Sequence, residues 1–239
     1  MKYLLILLLV SCLVVSLPAQ QPFVFPALKK AGMNLQDLIP KNWYAIDTAY
    51  GDLNGDQVSD VVLVLEHRNA VREHRAYGDN TTEIIAEHQR PRMLAAYFAT
   101  KNKALLRLAL QNNDFVLRAS EGGKLGDPYR DVSIDKGALR MRFSGGNSWR
   151  WNLDYQFRYK GTAWVLTAAN SEYFHQETGE MTSRSFDFIL QEVEVVSGSI
   201  HSRASGNATF RESLRDEPMR TFLTFKKPWA WEILPGTYL

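Results

Sequence analysis

The chain has 239 residues, of which 12% are aromatic and 23% charged, and a formal net charge of +2. The length suits one domain, or one domain with an appendage. The near-neutral balance, with no block of like charges, gives no electrostatic reason to expect nucleic acid or an anionic membrane as partner.

Met1-Lys2 is followed by an apolar run from Tyr3 to Leu17, broken only by Ser11, Cys12 and Ser16. A basic start and an apolar stretch too short for a stable bilayer-spanning helix read as an export signal. Leu17-Pro18-Ala19-Gln20 offers cleavage after Ala19 or Gln20, which assigns 1–19 to the signal and 20–239 to one mostly β domain without a transmembrane span. Leu9-Val10-Ser11-Cys12 instead resembles a bacterial lipobox, with Cys12 as the acylated residue. The apolar continuation after Cys12 favours plain secretion. Either ending predicts an exported protein: periplasmic, outer-membrane-associated or secreted. Cys12 is the only cysteine, so the mature domain is expected to lack disulfides and thiol chemistry. A bound metal would fit as a substitute staple.

Gln20 to Pro26 reads as an extended entry. Ala27 to Ile39 suggests one or two helical turns, with Asn34 as N-cap, Leu35, Leu38 and Ile39 as apolar contacts, and Pro40 as the stop. Trp43 to Tyr50 reads as a strand, with Tyr44, Ile46 and Thr48 on one side. Val61 to Leu65 is a run of β-branched residues and leucine, the pattern of a buried strand.

Between those strands lies Gly51-Asp52-Leu53-Asn54-Gly55-Asp56-Gln57-Val58-Ser59-Asp60. Asp52, Asn54, Asp56 and Asp60 stand at loop positions one, three, five and nine, and the Val58 carbonyl at position seven. Ca²⁺ takes six to eight oxygen ligands, and this spacing can direct them at one ion. A helical EF-hand is excluded, because position twelve, which needs a bidentate Glu, is Leu63. The alternative is a metal-free turn in which the same oxygens accept backbone N–H groups. The loop-then-strand order resembles the calcium loops of integrin-type FG-GAP and VCBS repeats. It departs from them at Gln57, where those loops carry a glycine to allow positive φ. An ion here is expected to be structural.

His67 to Arg92 is polar and irregular, and reads as a surface excursion with a helical turn near Glu83 to His88. His67, His74 and His88 lie there with Glu66, Glu73 and Glu87, but no pair has the compact helical spacing of a transition-metal site. Met93 to Ala99 and Ala104 to Gln111 read as strands, and Asn112-Asn113-Asp114 as a turn into a strand at Phe115 to Leu117. The glycine loop Glu121 to Pro128 lacks the strand–helix context of a phosphate cradle. Val132 to Ile134 and Ala138 to Phe143 pair around Asp135-Lys136-Gly137.

Trp149 to Lys160 alternates strictly, with Trp149, Trp151, Leu153, Tyr155, Phe157 and Tyr159 on one face and charged or amide residues on the other. Gly161-Thr162 turns it into Trp164 to Leu166. A strand over Ser185 to Val196 shows a parity shift near Gln191-Glu192, the mark of a bulge. Ser197 to Arg211 reads as a loop and Phe222 to Phe225 as a last strand. Trp229, Trp231 and Tyr238 make the tail after 211 apolar enough to dock. The acidic loop occurs once, which argues against a propeller of such blades. The expected fold is all-β: a single antiparallel domain, a sandwich or a curled sheet.

Several segments in order resemble a group of bacterial exported or lipid-anchored proteins of uncharacterised function: Ile39-Pro40-Lys41-Asn42-Trp43, Gly51 to Asp56, Pro91 to Leu94, Gly122-Gly123 with Gly126-Asp127-Pro128, Gly145 to Trp151, and Phe157-Arg158-Tyr159. The resemblance covers about Ile39 to Gly198. It implies export and the calcium-type loop, and no activity.

The candidate recognition surface is Trp149, Arg150, Trp151, Arg158 and Tyr159, where exposed rings would stack on sugars. The competing reading puts the rings in the core, the usual place for large aromatics on a central strand. Asp127, Asp131, Asp135, Asp154 and Glu172 are carboxylates that glycoside hydrolysis would need, but no spacing pairs them. No nucleophile elbow, zinc signature or Walker loop appears. The sequence therefore points to a non-catalytic binding module with an envelope protein or a glycan as partner, or alternatively to a carbohydrate-binding or glycan-processing protein working through the Trp149/Trp151 region.

Overall fold

The computed structural model describes residues 23–76, 84–101, 105–202, 206–214 and 217–239. The expected signal and the Cys12 lipobox fall outside the described residues. In chain order, β1 (Ala31–Gly32), β2 (Trp43–Gly51) and β3 (Asp60–His67) are followed by a separate hairpin, β4 (Val71–Ala76) and β5 (Ile84–Gln89). Then come β6 (Arg92–Ala99) and β7 (Leu106–Asn112), which complete a five-stranded sheet of order β1-β7-β6-β3-β2. A 3₁₀ helix (Ala119–Leu125) leads to β8 (Tyr129–Asp135), β9 (Ala138–Gly146), β10 (Trp149–Lys160), β11 (Ala163–His175), β12 (Glu180–Asp187), β13 (Glu192–Ser199) and β14 (Ala208–Ser213). These seven form an antiparallel meander in sequence order. A tail hairpin, β15 (Glu232–Leu234) and β16 (Thr237–Tyr238), ends the chain. The protein is all-β, as its alternating runs predict, with no closed barrel.

Strand β3 is buried along both faces, which explains its unbroken apolar run. Val62 and Val64 point into the shared core with Leu94 and Ala96 of β6, against Leu139, Met141, Phe143, Leu153, Tyr155 and Phe157 of the second sheet. Val61, Leu63 and Leu65 point the other way, into a smaller core closed by Phe23, Phe25, Trp43 and Leu38. The sheets also meet edgewise at β2 and β8. There Asp47 accepts from the Tyr129 hydroxyl (2.8 Å) and the Val132 N–H (3.1 Å). A Cβ on Gly51 would sit 2.6 Å from Ile134, so the strands approach where a side chain is missing.

Several local expectations hold. Asn34 caps a four-residue helix (Leu35–Leu38) by accepting from the Asp37 N–H. Strand β10 has the predicted ends, and the β8–β9 turn falls at Lys136-Gly137, both at positive φ. Trp231 and Leu239 are buried, so the tail docks as expected.

Others need correction. Residues 84–89 are strand, where a helical turn was expected, and pair with β4 as a hairpin. That hairpin is anchored by buried charge: Glu73 pairs with Arg118, and Arg75 with Glu121. Phe115 to Leu117 is buried irregular chain, not a strand. Phe115 meets Tyr155, Phe157, Phe222 and Phe225 edge-on, with centroids 5.2–5.4 Å apart. Buried Arg118 donates to the carbonyls of Asn113 and Val116, replacing sheet partners.

The Ser185 to Val196 run is two strands joined by a turn at 188–191, with Gln191 at φ 58°, which explains the parity shift. Residues 208–213, which overlap the end of the expected loop, form the edge strand β14, hidden in the sequence because its side chains are exposed on both faces. Phe222 and Phe225 are core residues on a turn rather than a strand, touching the sheet through one bridge, Val165 to Thr221. The Ile46 parity is broken by a bulge between Ala45 and Asp47.

Candidate functional site

The acidic loop connects β2 to β3, and its side chains turn toward its own backbone. Asp52 accepts from Gly55 N–H (2.7 Å) and Gln57 N–H (2.8 Å), Asn54 from Asp56 N–H (3.0 Å), and Asp56 from Val58 N–H (2.8 Å). Burial pushes the Asp52 carboxyl up slightly, but these backbone donors outweigh it and hold the carboxyl below its usual range. Gln57 adopts φ 67°, the conformation that the missing glycine would favour.

Asp60 is different. It is fully buried, and its two oxygens accept from Leu53 N–H and Ala99 N–H, both at 2.9 Å. It ties the loop to the end of β6. Burial pushes its carboxyl up against those two donors, and the nearby Asp56 and Asp52 charges add to the rise. Among the described residues, no group of three or more His, Cys, Asp or Glu is placed to hold a metal ion. Lys136, Arg158 and Lys160 share a groove of about 560 Å³ with Asp52 and Asn54, which adds positive charge beside the loop.

The expected recognition surface is divided: Arg150 and Trp151 line one hollow, and Arg158 and Tyr159 line another beside the acidic loop. Arg150 and Arg158 sit at opposite ends of β10, eight residues or about 26 Å apart. Trp151 packs edge-on against Trp229 (4.8 Å), whose indole donates to the Tyr173 hydroxyl. Tyr159 lies on Phe98 and Trp164. Arg158 donates to the Lys136 carbonyl, and Arg150 to Gln176 and the Gly146 carbonyl. Only Trp149 exposes its ring, at 47%, edge-on to His175.

His67, Glu66, Glu73 and Glu87 have other partners. Glu66 is buried and takes two bonds from Arg92 (2.9 and 2.7 Å) and one from the Tyr44 hydroxyl. Arg92 reaches on to Asp127 and to the Leu117 carbonyl (2.8 Å). Burial opposes the Asp127 charge, but the Arg92 pair outweighs it and holds that carboxyl below the usual range. His67 Nδ1 lies 2.8 Å from the Asn69 carbonyl.

The most developed surface lies on the wet face of the second sheet. Polar residues of β8–β12, with Phe143 and Leu153 of the core beneath them, line a groove of about 650 Å³. Neighbouring strands order its polar side chains in cross-strand pairs. Arg140 grips Asp154 through Nε (2.8 and 2.9 Å), Arg142 grips Asp131 through Nε (3.0 Å), and Asn152 donates to Glu172 (2.6 Å). Arg130 reaches the Ser144 hydroxyl and carbonyl. The register explains this: Arg142 stands between Asp131 and Asp154, and Asn152 between Ser144 and Glu172. A second hollow of about 350 Å³ shares Ser144 and Asn152 with the groove and adds Arg150, Trp151, Phe174, Leu125 and Gln176. The sequence marked Asp131, Asp154 and Glu172 only as stray carboxylates. They lie on β8, β10 and β11, with a register shift between Tyr129 and Asp131, so no single sequence period links them and only the sheet register brings them onto one surface.

No helix among the described residues is long and apolar enough to cross a membrane. Comparison with protein families, with curated proteins and with solved structures finds no match to this chain.

Proposed function

We propose that the protein is an exported, non-catalytic binding module of the cell envelope whose working surface is the outer face of the seven-stranded sheet. One observation carries this reading: the large groove on that face is lined by planar polar groups already fixed by cross-strand pairs. Preordering of this kind lowers the entropic cost of capturing a ligand. It suits catalysis poorly. Asp131 and Asp154 are each gripped by an arginine, whereas a general acid or base needs a carboxyl free to exchange a proton with substrate.

The test is capture from envelope extract by the intact mature protein and by the double variant Asp131→Ala/Arg142→Ala, both confirmed folded by thermal melting. Material retained by the first and lost by the second supports the reading. Equal retention, or none, overturns it.

Ca²⁺ belongs to this proposal as an accessory brace of the Asp52, Asn54, Asp56, Val58 and Asp60 loop. Its support is the order of oxygen donors along the chain. Because each side chain also holds a backbone N–H, the turn closes without an ion. A chelator is expected to lower Tm modestly and excess Ca²⁺ to restore it; indifference to both removes the ion from the proposal.

A further inference from the structure

We infer that the ligand of the outer groove is an uncharged, hydroxyl-rich chain, a neutral oligosaccharide, lying across β9, β10 and β11. The inference rests on the outer face being the binding surface, and adds the chemical class of what it holds.

Charge is the first ground. The two hollows together carry four arginines, Arg130, Arg140, Arg142 and Arg150, against three acids, Asp131, Asp154 and Glu172, so neither sign dominates the surface. Every arginine has a partner on the sheet. A polyanion such as nucleic acid or a sulfated glycan would meet three carboxylates interleaved with the guanidinium groups, and a cationic peptide would meet four guanidinium groups. A neutral ligand meets no such repulsion.

Hydrogen-bonding capacity is the second. Carboxylates and amides paired through one edge keep further lone pairs and N–H groups for a ligand. Hydroxyl groups both donate and accept, so they can bond to either member of a carboxylate–guanidinium pair without displacing its charge.

Shape is the third. The larger groove mixes polar side chains with carbon surface, and the adjoining hollow adds carbon surface from Trp151, Phe174 and Leu125 beside Asn152 and Gln176. A pyranose ring has the same division: an apolar face of C–H groups and an edge of hydroxyls. The two hollows share Ser144 and Asn152, so one extended ligand can use both. Their volumes, about 650 and about 350 Å³, fall in the range of ~300–1,000 Å³ usual for ligand sites.

The experiment uses the full mature protein on an array of neutral, sialylated and sulfated glycans. Hits are then titrated by intrinsic tryptophan fluorescence, which Trp151 in the smaller hollow should report. Neutral oligosaccharides are expected to bind, and Asn152→Ala/Glu172→Ala to weaken them at least tenfold with an unchanged melting curve. Arg211→Ala, on the edge strand outside the groove, is expected to leave affinity within twofold. Exclusive binding of anionic glycans overturns the inference, as does neutral binding that survives Asn152→Ala/Glu172→Ala. An array without hits also overturns it; if envelope capture still depends on Asp131 and Arg142, the ligand class is wrong while the binding face stands.

Discussion

At the corner where the β4–β5 hairpin meets the 3₁₀ helix, Arg118 and Glu73 pair with side chains 0% and 7% exposed. On the outer face of the second sheet, Arg142 and Asp131 make the same chemical pair at 53% and 31% exposed. In the first region, water has been removed, so each ion depends on its partner, and Arg118 also on the carbonyls of Asn113 and Val116. In the second, water competes for both ions, so the pair adds little to folding and instead fixes where a guanidinium and a carboxylate point. Buried charge here serves architecture, anchoring a hairpin and an irregular core segment, whereas exposed charge presents a surface.

That contrast is easiest to break at Glu73. Glu73→Ala leaves the buried Arg118 guanidinium without its counter-ion and is expected to cost about 3–5 kcal/mol in denaturant unfolding. A loss below 1 kcal/mol would mean that the hairpin is not held by this pair. Asp60→Ala should come next. It strands the N–H groups of Leu53 and Ala99 in a dry place, at about 2–3 kcal/mol.

Lys227 sharpens the comparison through pH. Burial lowers its amine to about 8, with Arg75 and Arg118 adding to the fall and Glu121 and Asp114 opposing it. The folded value lies below the ordinary 10.5, so the folded chain prefers the neutral amine. Stability should rise as pH climbs from about 8 toward 10.5, and that gain is absent below about 8. Lys227→Met should flatten this rise. At pH 7 it should raise Tm by about 2–4 °C, roughly 1 kcal/mol, a value already discounted for a half-exposed group. A pH–Tm profile unchanged by the substitution would rule this out.

Smaller effects separate the loop from the outer face. Gln57 holds positive φ without being glycine, so Gln57→Gly should stabilise by about 0.5–1 kcal/mol. A loss instead would mean that its side chain makes a contact that matters. Asp131→Ala should change stability least, by under about 1 kcal/mol, while reducing ligand capture. A large loss of stability there would erase the distinction between the two regions.

Much of the fold was legible because local chemistry and tertiary demand agree. The alternation of β10, the apolar run of β3, the Asn34 cap and the Lys136-Gly137 turn each follow from side-chain periodicity or backbone freedom. The acidic loop was legible as a turn of Asx residues, and its alternative reading, oxygens bonded to backbone N–H, describes the bonds seen. Illegible were segments whose partners lie far along the chain. Phe115 looks like strand sequence but plugs a core made by residues 40 and 107 positions away. Strand β14 looks like a loop because both its faces are wet.

Residue order by itself determined that this is a β protein, where its most regular strands run, and that Gly51 to Asp60 is an Asx-rich acidic loop between two strands. Period-two burial and turn stereochemistry act over a few residues, so a single chain can display them. Only the tertiary structure decided that Asp60 binds the loop to β6, that Glu73 and Arg118 share one dry corner, and that Asp131, Asp154 and Glu172 stand on one face. Those relations depend on the register of strands joined across tens of residues, and register is set by how two sheets bury their apolar sides together.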